Sequence, residues 1–509
     1  MNFTVLTTTD FLSAKAPNNA YLLIDDWDDY FEFSTLYKLF IIDVKGITHN
    51  IGGLKIGQFN MVTDQRKPSI PIAFNSLSKE FFSVGQDDSY YQELNNLGEE
   101  NRKIILDALN DIAADDTMYN KAIHERVTQL SLFRFVSPST VKGQFRRMAN
   151  GGARLSHFSF SYQLPKLNKE IELVTLTFNI EPDSNPPTNV HVLIGRNGVG
   201  KTYTINKMIG CLVDPTSNSK TGMFNFDTYN SDSFANLISV TFSAFDESEP
   251  IPENKDNSSG IRYSYVGLKR IKEENNPATL EPKTPIMLKD EFVNSVTTFR
   301  TGVKQKRWVR ALEVLGTDPI FESSDIRSVL SISNEHNFKK ETGDIFNKLS
   351  SGHKIVLLTI TRLVETVEEK SLVLLDEPEA HLHPPLLSAF IRALSDLLIE
   401  RNGVAIIATH SPVVLQEVPR SCVWMLRRTG SEVNAERLEI ESFGENVGIL
   451  TREVFGLEVI HSGFHKILSD SVKSKYTYEE ALYFFNQQLG MEAKAILRAL
   501  YSKNTQKDV

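Results

Sequence analysis

Four stretches of the chain are apolar at nearly every position: Val190-His-Val-Leu-Ile194, Leu237-Ile-Ser-Val-Thr-Phe242, Ser371-Leu-Val-Leu-Leu375 and Val404-Ala-Ile-Ile-Ala408. Runs of this length without alternation predict strands covered on both faces, as in a parallel sheet between helix layers. Elsewhere the pattern alternates. Leu36 to Asp43 and Ile51 to Gly57 flank a turn at Gly46 and predict a hairpin, and Leu155 to Tyr162 with Leu173 to Ile180 predict a second antiparallel pair. Helical spacing appears from about Glu99 to Ala113, with Ile104, Leu106, Leu109 and Ile112 assigned to one face. It recurs at Ile355, Leu358 and Leu363, and again at Leu386, Leu387, Phe390, Ile391, Leu394, Leu397 and Leu398. The tail from Asn446 to Tyr501 predicts further helices, interrupted at Gly490. No apolar stretch approaches the ~18 residues needed to cross a bilayer, and no sustained heptads predict a coiled-coil arm.

This order of elements predicts an α/β chain in three parts. Residues 1–145 read as an accessory α+β module and residues 146–445 as a mixed sheet flanked by helices. Residues 247–345 of that head read as a variable insertion, loop-like from Glu249 to Ser259 and helical from Leu288, and residues 446–509 as a helical tail. Composition adds little but bounds the setting. Two cysteines in 509 residues, Cys211 and Cys422, cannot build a disulfide framework. The first residues, MNFTVLTTTDF, lack the form of a secretory signal, so a cytoplasmic location without membrane partners is expected. A net charge of -9 argues against a protein that coats nucleic acid. Three basic segments, Lys142 to Arg147, Leu268 to Lys272 and Lys304 to Arg310, read as solvated faces. The third, with Trp308 inside it, is the best candidate for a nucleic-acid contact, which leaves nucleic acid open as a partner. The acidic run Asp25 to Asp29 reads as a solvated turn before it reads as a metal site.

The chemistry begins where the first apolar run ends. Residues 195–202 are GRNGVGKT, matching G-x-x-x-x-G-K-[ST] between a strand and a helix. Gly195, Gly198 and Gly200 let the backbone curl so that successive N–H groups face phosphate oxygens, together with Arg196, Asn197 and Val199. Lys201 supplies a point charge between the β- and γ-phosphates, Thr202 a hydroxyl for Mg2+, and Tyr203 closes the set of expected ATP-binding residues. The third apolar run ends in Asp376-Glu377-Pro378. Asp376 is the expected Mg2+ partner and Glu377 the residue that orients or deprotonates the attacking water. Ser350-Ser351-Gly352 precede a helix, an anion-binding geometry, and the fourth run ends in Thr409-His410, where an imidazole could reach the γ-phosphate.

Taken in order, GRNGVGKT, LSSGH, LVLLDE and ATHSP resemble the ABC-type ATPase head, as its phosphate loop, signature, Walker B strand and histidine switch. The resemblance implies that two copies sandwich Mg-ATP, Ser350, Ser351 and Gly352 of one closing over the cradle of the other, with Lys201, Glu377 and His410 in catalysis. The continuation EPEAHLHP resembles the non-transport branch, which includes SMC, RecF and OLD-like ATPases and the anti-phage systems Septu and PARIS. It implies a homodimer or higher homo-oligomer that hydrolyses ATP slowly and controls a separately encoded effector, a nuclease, in bacterial anti-phage defence. A RecF-like DNA clamp and a non-hydrolysing, ATP-locked scaffold are the alternatives. Two departures stand out: the signature has Ser351 where a glycine is common and His353 where a glutamine is common, and no glutamine occurs between Lys201 and Gln305. Ser243 to Asp246 would then stand in for the usual glutamine loop. A zinc site at His381, His383 and His410, and adenine stacking on Phe158, Phe160 or Tyr162, are lesser readings.

Overall fold

The computed structural model describes residues 1–6, 16–25, 32–61, 65–152, 155, 157–165, 173–181, 184–214, 218–226, 234–242, 250–254, 261–271, 282–300, 303–430, 432–461, 463–474 and 477–505. Its first region is a six-stranded sheet of β1 (Asn2–Leu6), β2 (Asn19–Ile24), β3 (Leu36–Ile42), β4 (Thr48–Gln58), β5 (Ala73–Phe74) and β6 (Phe81–Gly85), in the order β5-β1-β2-β3-β4-β6. β3 and β4 form the hairpin expected around Gly46, and β1 pairs with β2 in parallel. Helices Asp88–Asn96 and Glu99–Ala108 share this region's own apolar core. The second helix is shorter than its periodicity suggested. Asn110 turns into the left-handed region at φ 49°, and its side-chain amide donates to the carbonyls of Leu77, Ser78 and Phe81, which ends the helix. The helix buries Ile105 and Leu106, with Leu109 at its C-cap and Ile112 beyond its end also buried, and Ile104 faces solvent at 42% exposure rather than joining that face.

The remaining strands are β7 (Phe158–Gln163), β8 (Thr175–Ile180), β9 (Val190–Ile194), β10 (Met223–Phe226), β11 (Asn236–Thr241), β12 (Arg262–Gly267), β13 (Ser371–Asp376), β14 (Val404–Thr409), β15 (Val423–Thr429) and β16 (Glu432–Glu436). β10-β7-β8 make a small antiparallel sheet. The others form one sheet in the order β12-β11-β13-β14-β9-β15-β16, parallel except for the final β15–β16 hairpin. Residues 247–345 therefore supply a strand of this sheet, β12, besides the helices Pro285–Thr298, Val303–Leu315 and Glu335–Lys348. Along β13, Leu372 and Leu374 pack into the core shared with helix Lys201–Val213 and the small sheet. Val373 and Leu375 pack into the core shared with helices Ser351–Thr366 and Pro384–Ile399. Both faces are buried, so the apolar run is unbroken, and each such side chain contributes roughly 1.5–3 kcal/mol relative to exposure. Helices Val447–His461, Gly463–Ser474, Tyr478–Phe484 and Met491–Thr505 complete the chain. Among the described residues no helix is long and apolar enough to cross a membrane.

The segment Lys304 to Arg310 is only in part a solvated face: Lys306 and Arg310 are exposed, whereas Arg307 and Trp308 are buried. Trp308 is fully buried and its indole N–H donates to Thr361 Oγ1 at 2.9 Å. Lys304 Nζ donates to the carbonyl of Glu365 at 2.7 Å, and Arg310 pairs with Glu400. Arg307 crosses to the N-terminal region, where it pairs with Asp87; Arg401 reaches the same carboxylate at 3.2 Å and Gln144 at 3.3 Å. Arg147, in the first basic segment, pairs with Glu369 at 3.0 Å, and Arg146 with Asp116. Lys269, in the second segment, is also buried. Asp87, Asp88, Gln144, Arg307, Glu369 and Arg401 are all buried in this seam. Its place matters: Glu369 lies in the turn entering β13, and Arg401 and Asn402 in the turn entering β14. In the acidic run, Asp25 pairs with Lys38 at 3.2 Å, and residues 26–29 lie outside the described residues.

Candidate nucleotide site

β9 hands the chain into the GRNGVGKT loop beside β15. At Gly195 a Cβ would fall 2.4 Å from the carbonyl oxygen of Leu426, so no larger residue fits between loop and strand. Gly198 and Gly200 take φ values of 80° and 104°, which close the curl. The helix Lys201–Val213 then starts at Gly200 without a side-chain cap, leaving its first N–H groups to an anion. Lys201 Nζ is buried and rests on carbonyls of its own loop, Gly195 at 3.0 Å and Arg196 at 3.2 Å. Burial lowers its pKa, against the pull of Glu377, Glu379 and Asp376. Thr202 Oγ1 donates to Asp376 Oδ1 at 3.2 Å. Arg196, Asn197, Gly198 and Val199 line an open cleft with His410, Arg428, Gly430 and Phe455. Tyr203 is partly exposed and its ring receives Lys207 at 5.2 Å.

The ends of β13 and β14 meet this loop. Asp376 closes β13, and Glu377 takes a left-handed φ of 47°, a conformation that costs about 1–3 kcal/mol for a non-glycine residue and persists where surroundings enforce it. Its N–H donates to the Ala408 carbonyl at 2.9 Å, tying it to β14. His410 Nδ1 stands 3.5 Å from Glu377 Oε1 and 3.2 Å from Glu379 Oε1. Glu379 is the site residue that motif reading missed. Its Oε1 accepts from the Thr409 hydroxyl at 2.5 Å and the His410 N–H at 2.8 Å, so it fixes the tip of β14. The second carboxylate of Glu-Pro-Glu was the available signal. The hydroxyl of Thr202 and carboxylate of Asp376 are hard oxygen donors close enough to share one small cation, and they fit Mg2+.

Ser350 caps helix Ser351–Thr366 and is exposed with Ser351, while Gly352 and His353 are buried. A Cβ on Gly352 would lie 2.7 Å from the carbonyl of His381, so the signature turn packs directly on the loop that follows Glu377. The substituted His353 has a structural use. Its Nδ1 lies 2.6 Å from Ser350 Oγ, its Nε2 3.0 Å from Asp318 Oδ1, and its ring 5.1 Å from that of Phe321. With Nε2–H given to Asp318, Nδ1 accepts the Ser350 hydroxyl proton. Burial raises the Asp318 carboxyl, but the His353 ring and the N–H groups of Ile320 and Phe321 outweigh it and hold the group below its ordinary value.

Several expectations do not survive. Phe158, Phe160 and Tyr162 are buried; Phe160 stacks on Phe178, and Tyr162 lies against Phe224, so none faces an adenine. The three histidines of the zinc reading have separate uses: His383 caps helix Pro384–Ile399, His410 meets Glu377 and Glu379, and His381 turns the backbone at φ 76°. Ser243 to Asp246 lie outside the described residues.

A phosphate cradle, an acidic strand tip and a signature turn on one parallel sheet define a P-loop ATPase of the AAA/ABC class. Residues 253–416 match the family described as "AAA domain, putative AbiEii toxin, Type IV TA system". Protein ea59 of Escherichia phage lambda is 41% identical over 522 aligned residues, spanning 98% of each chain. The chain belongs to the ea59 family. Solved structures align only loosely. CbiO1 of Clostridium perfringens, described as part of an ABC transporter complex, is 16% identical over 52% of this chain and 82% of its own at a TM-score of 0.29. A nucleotide-free ATP-binding cassette from an ABC transporter is 15% identical over 52% and 85% at 0.26. Superpositions this weak carry no functional argument.

Proposed function

We propose that this chain works in the cytoplasm as an ATP-switched dimer or larger homo-oligomer, hydrolysing ATP slowly between two copies and passing the closed or open state to a separately encoded effector, a nuclease in anti-phage defence. The observation that carries the ATPase reading is the meeting of Lys201, Thr202, Asp376, Glu377 and His410 at the C-terminal edge of β9, β13 and β14. Residues 195–203 bind the phosphates, Thr202 and Asp376 hold Mg2+, which neutralises phosphate charge, and Glu377 takes the proton of the attacking water. Glu379 keeps the imidazole of His410 beside Glu377. The Ser350-Ser351-Gly352 turn, exposed at Ser350 and Ser351, is the surface that meets the triphosphate of the second copy. A Cβ on Gly352 would lie 2.7 Å from the His381 carbonyl, so this turn packs directly on the catalytic loop of its own chain.

The effector role rests on the EPEAHLHP wording. RecF-like DNA clamping is the second reading; of the cations in the basic segments, Arg147, Lys304 and Arg307 are engaged within the chain. The test is Glu377→Gln, with ATP turnover and light-scattering mass measured side by side with wild type. Turnover should fall by about 10²–10⁴-fold, and Mg-ATP should convert the variant to a stable dimer. Equal turnover in both proteins, or a monomer at saturating Mg-ATP, refutes the proposal.

A further inference from the structure

Arg428 is a cation that the ATPase motifs do not account for. It lies on β15, which pairs in parallel with β9 from Val423↔Val192 to Met425↔Ile194 and then runs on beside the cradle. The tight approach of Leu426 to Gly195 fixes that register. Two residues further, Arg428 Nη1 donates to the carbonyl of Gly198 at 3.3 Å and Nε to the carbonyl of Gly430 at 3.0 Å. The side chain is exposed, and these bonds go to backbone carbonyls rather than to a carboxylate. Lys201 rests in the same way, on the carbonyls of Gly195 and Arg196. A carbonyl offers only part of a negative charge, so both cations can exchange it for a full anion. Arg428 lines the same cleft as His410, whose Nδ1 stands 3.5 Å from Glu377 Oε1, and as Arg196 to Val199 of the phosphate loop.

On the reading that the cradle binds ATP, we propose that Arg428 is a second phosphate-binding cation, supplied by the β15–β16 hairpin, which leaves the Gly198 carbonyl to contact the terminal phosphate of a bound nucleoside triphosphate. A guanidinium suits the task because its planar fork presents several N–H donors to phosphate oxygens at once. A nucleoside diphosphate lacks that phosphate and leaves Arg428 on Gly198.

The test uses the full-length protein with Mg2+ and fluorescent ATP and ADP analogues, comparing wild type, Arg428→Met and Arg428→Lys, with thermal melting as the check on folding. Arg428→Met should weaken the triphosphate by about tenfold and the diphosphate by less than about twofold, and Arg428→Lys should recover part of the loss. Equal losses for both nucleotides, or none, overturn the proposal. Should Arg428→Met misfold, Arg428→Lys decides: a loss confined to the triphosphate supports the assignment, and wild-type affinities overturn it. Wild-type protein that binds neither nucleotide instead overturns the ATP reading on which the assignment rests.

Discussion

The cradle and the interdomain seam both bury cations, and they differ in what completes the charge. In the seam, Arg307 and Arg401 converge on Asp87, with Asp88 and Gln144 around them, so charge is matched within the chain. In the cradle, Lys201 makes its hydrogen bonds to two carbonyls of its own loop, and the nearest acids are engaged with Thr202, Thr409 and His410. A buried cation on carbonyls is stable enough to fold but retains affinity for an anion, while one on a carboxylate has none to spare. Burial of a cation therefore does not mark a ligand site by itself, and neither does a carbonyl acceptor alone, since Lys304 rests on the Glu365 carbonyl; in the cradle the accepting carbonyls belong to a loop at a helix N-terminus that lines an open cleft. The same distinction sets Arg428 apart from Arg307 and Arg147.

Removing the seam's shared acid should give the largest effect. Asp87→Ala leaves Arg307 and Arg401 buried around a missing partner and should cost about 3–5 kcal/mol of stability in chemical denaturation. A loss below about 1 kcal/mol would show that Asp88 alone can hold both arginines, and the contrast would weaken. At the cradle the outcome should reverse: Lys201→Met keeps the length and loses the charge, so ATP should bind about 100-fold more weakly. The unliganded protein should unfold within about 1 kcal/mol of wild type, because the buried charge was only partly compensated. A large loss of stability would mean that Lys201 is structural.

The two regions should also answer pH in opposite ways. In the N-terminal region burial pushes Asp111 up to about 7, against the Ala113 N–H and the Tyr91 hydroxyl. The unfolded chain releases that proton near 3.8, so between these values the folded form holds more protons and stability falls as pH rises. In the head, burial takes His191 on β9 down to about 3, with Arg437 adding to the shift. The unfolded chain gains a proton below 6.5, so stability falls as pH drops through that value toward 3. Each slope is roughly 1.4 kcal/mol per pH unit, and between about pH 4 and 6.5 they oppose each other. Urea denaturation should therefore show Asp111→Asn gaining stability from pH 4.5 to 6.5 and His191→Phe losing it. Parallel slopes in the two variants would refute this. The smallest effect belongs to Ser350→Ala, which removes a helix cap and should cost about 1 kcal/mol in the unliganded protein, read by the same denaturation.

The head was legible because its strands are buried on both faces. Leu372 to Leu375 and Val404 to Ala408 could not be apolar throughout in any half-exposed sheet, and the chemistry sits directly at their ends. The N-terminal region was harder to read. Its strands show one face to helices, and β1 reaches β2 across residues with no pattern in the sequence. The helix after Gly98 was found but its face was misassigned by one residue at Ile104. The basic segments misled for a physical reason: charge along a sequence says nothing about whether a carboxylate from 200 or more residues away will arrive, as Asp87 does for Arg307 (|i−j| = 220). Asp318 was invisible for the same reason, since it acts through His353 on another element, while Glu379 had a signal in the second carboxylate of Glu-Pro-Glu that motif reading did not use.

β13 and β14 are held at both ends. Arg401 and Glu369 anchor their entry turns to the N-terminal region, and Asp376, Thr409 and the backbone tie from Glu377 to Ala408 anchor their exits at the cradle. A six-residue strand is about 20 Å long and stiff along its axis. The pair forms two short rods, each tied at its entry by a salt bridge to the N-terminal region and at its exit to the residues around the cradle.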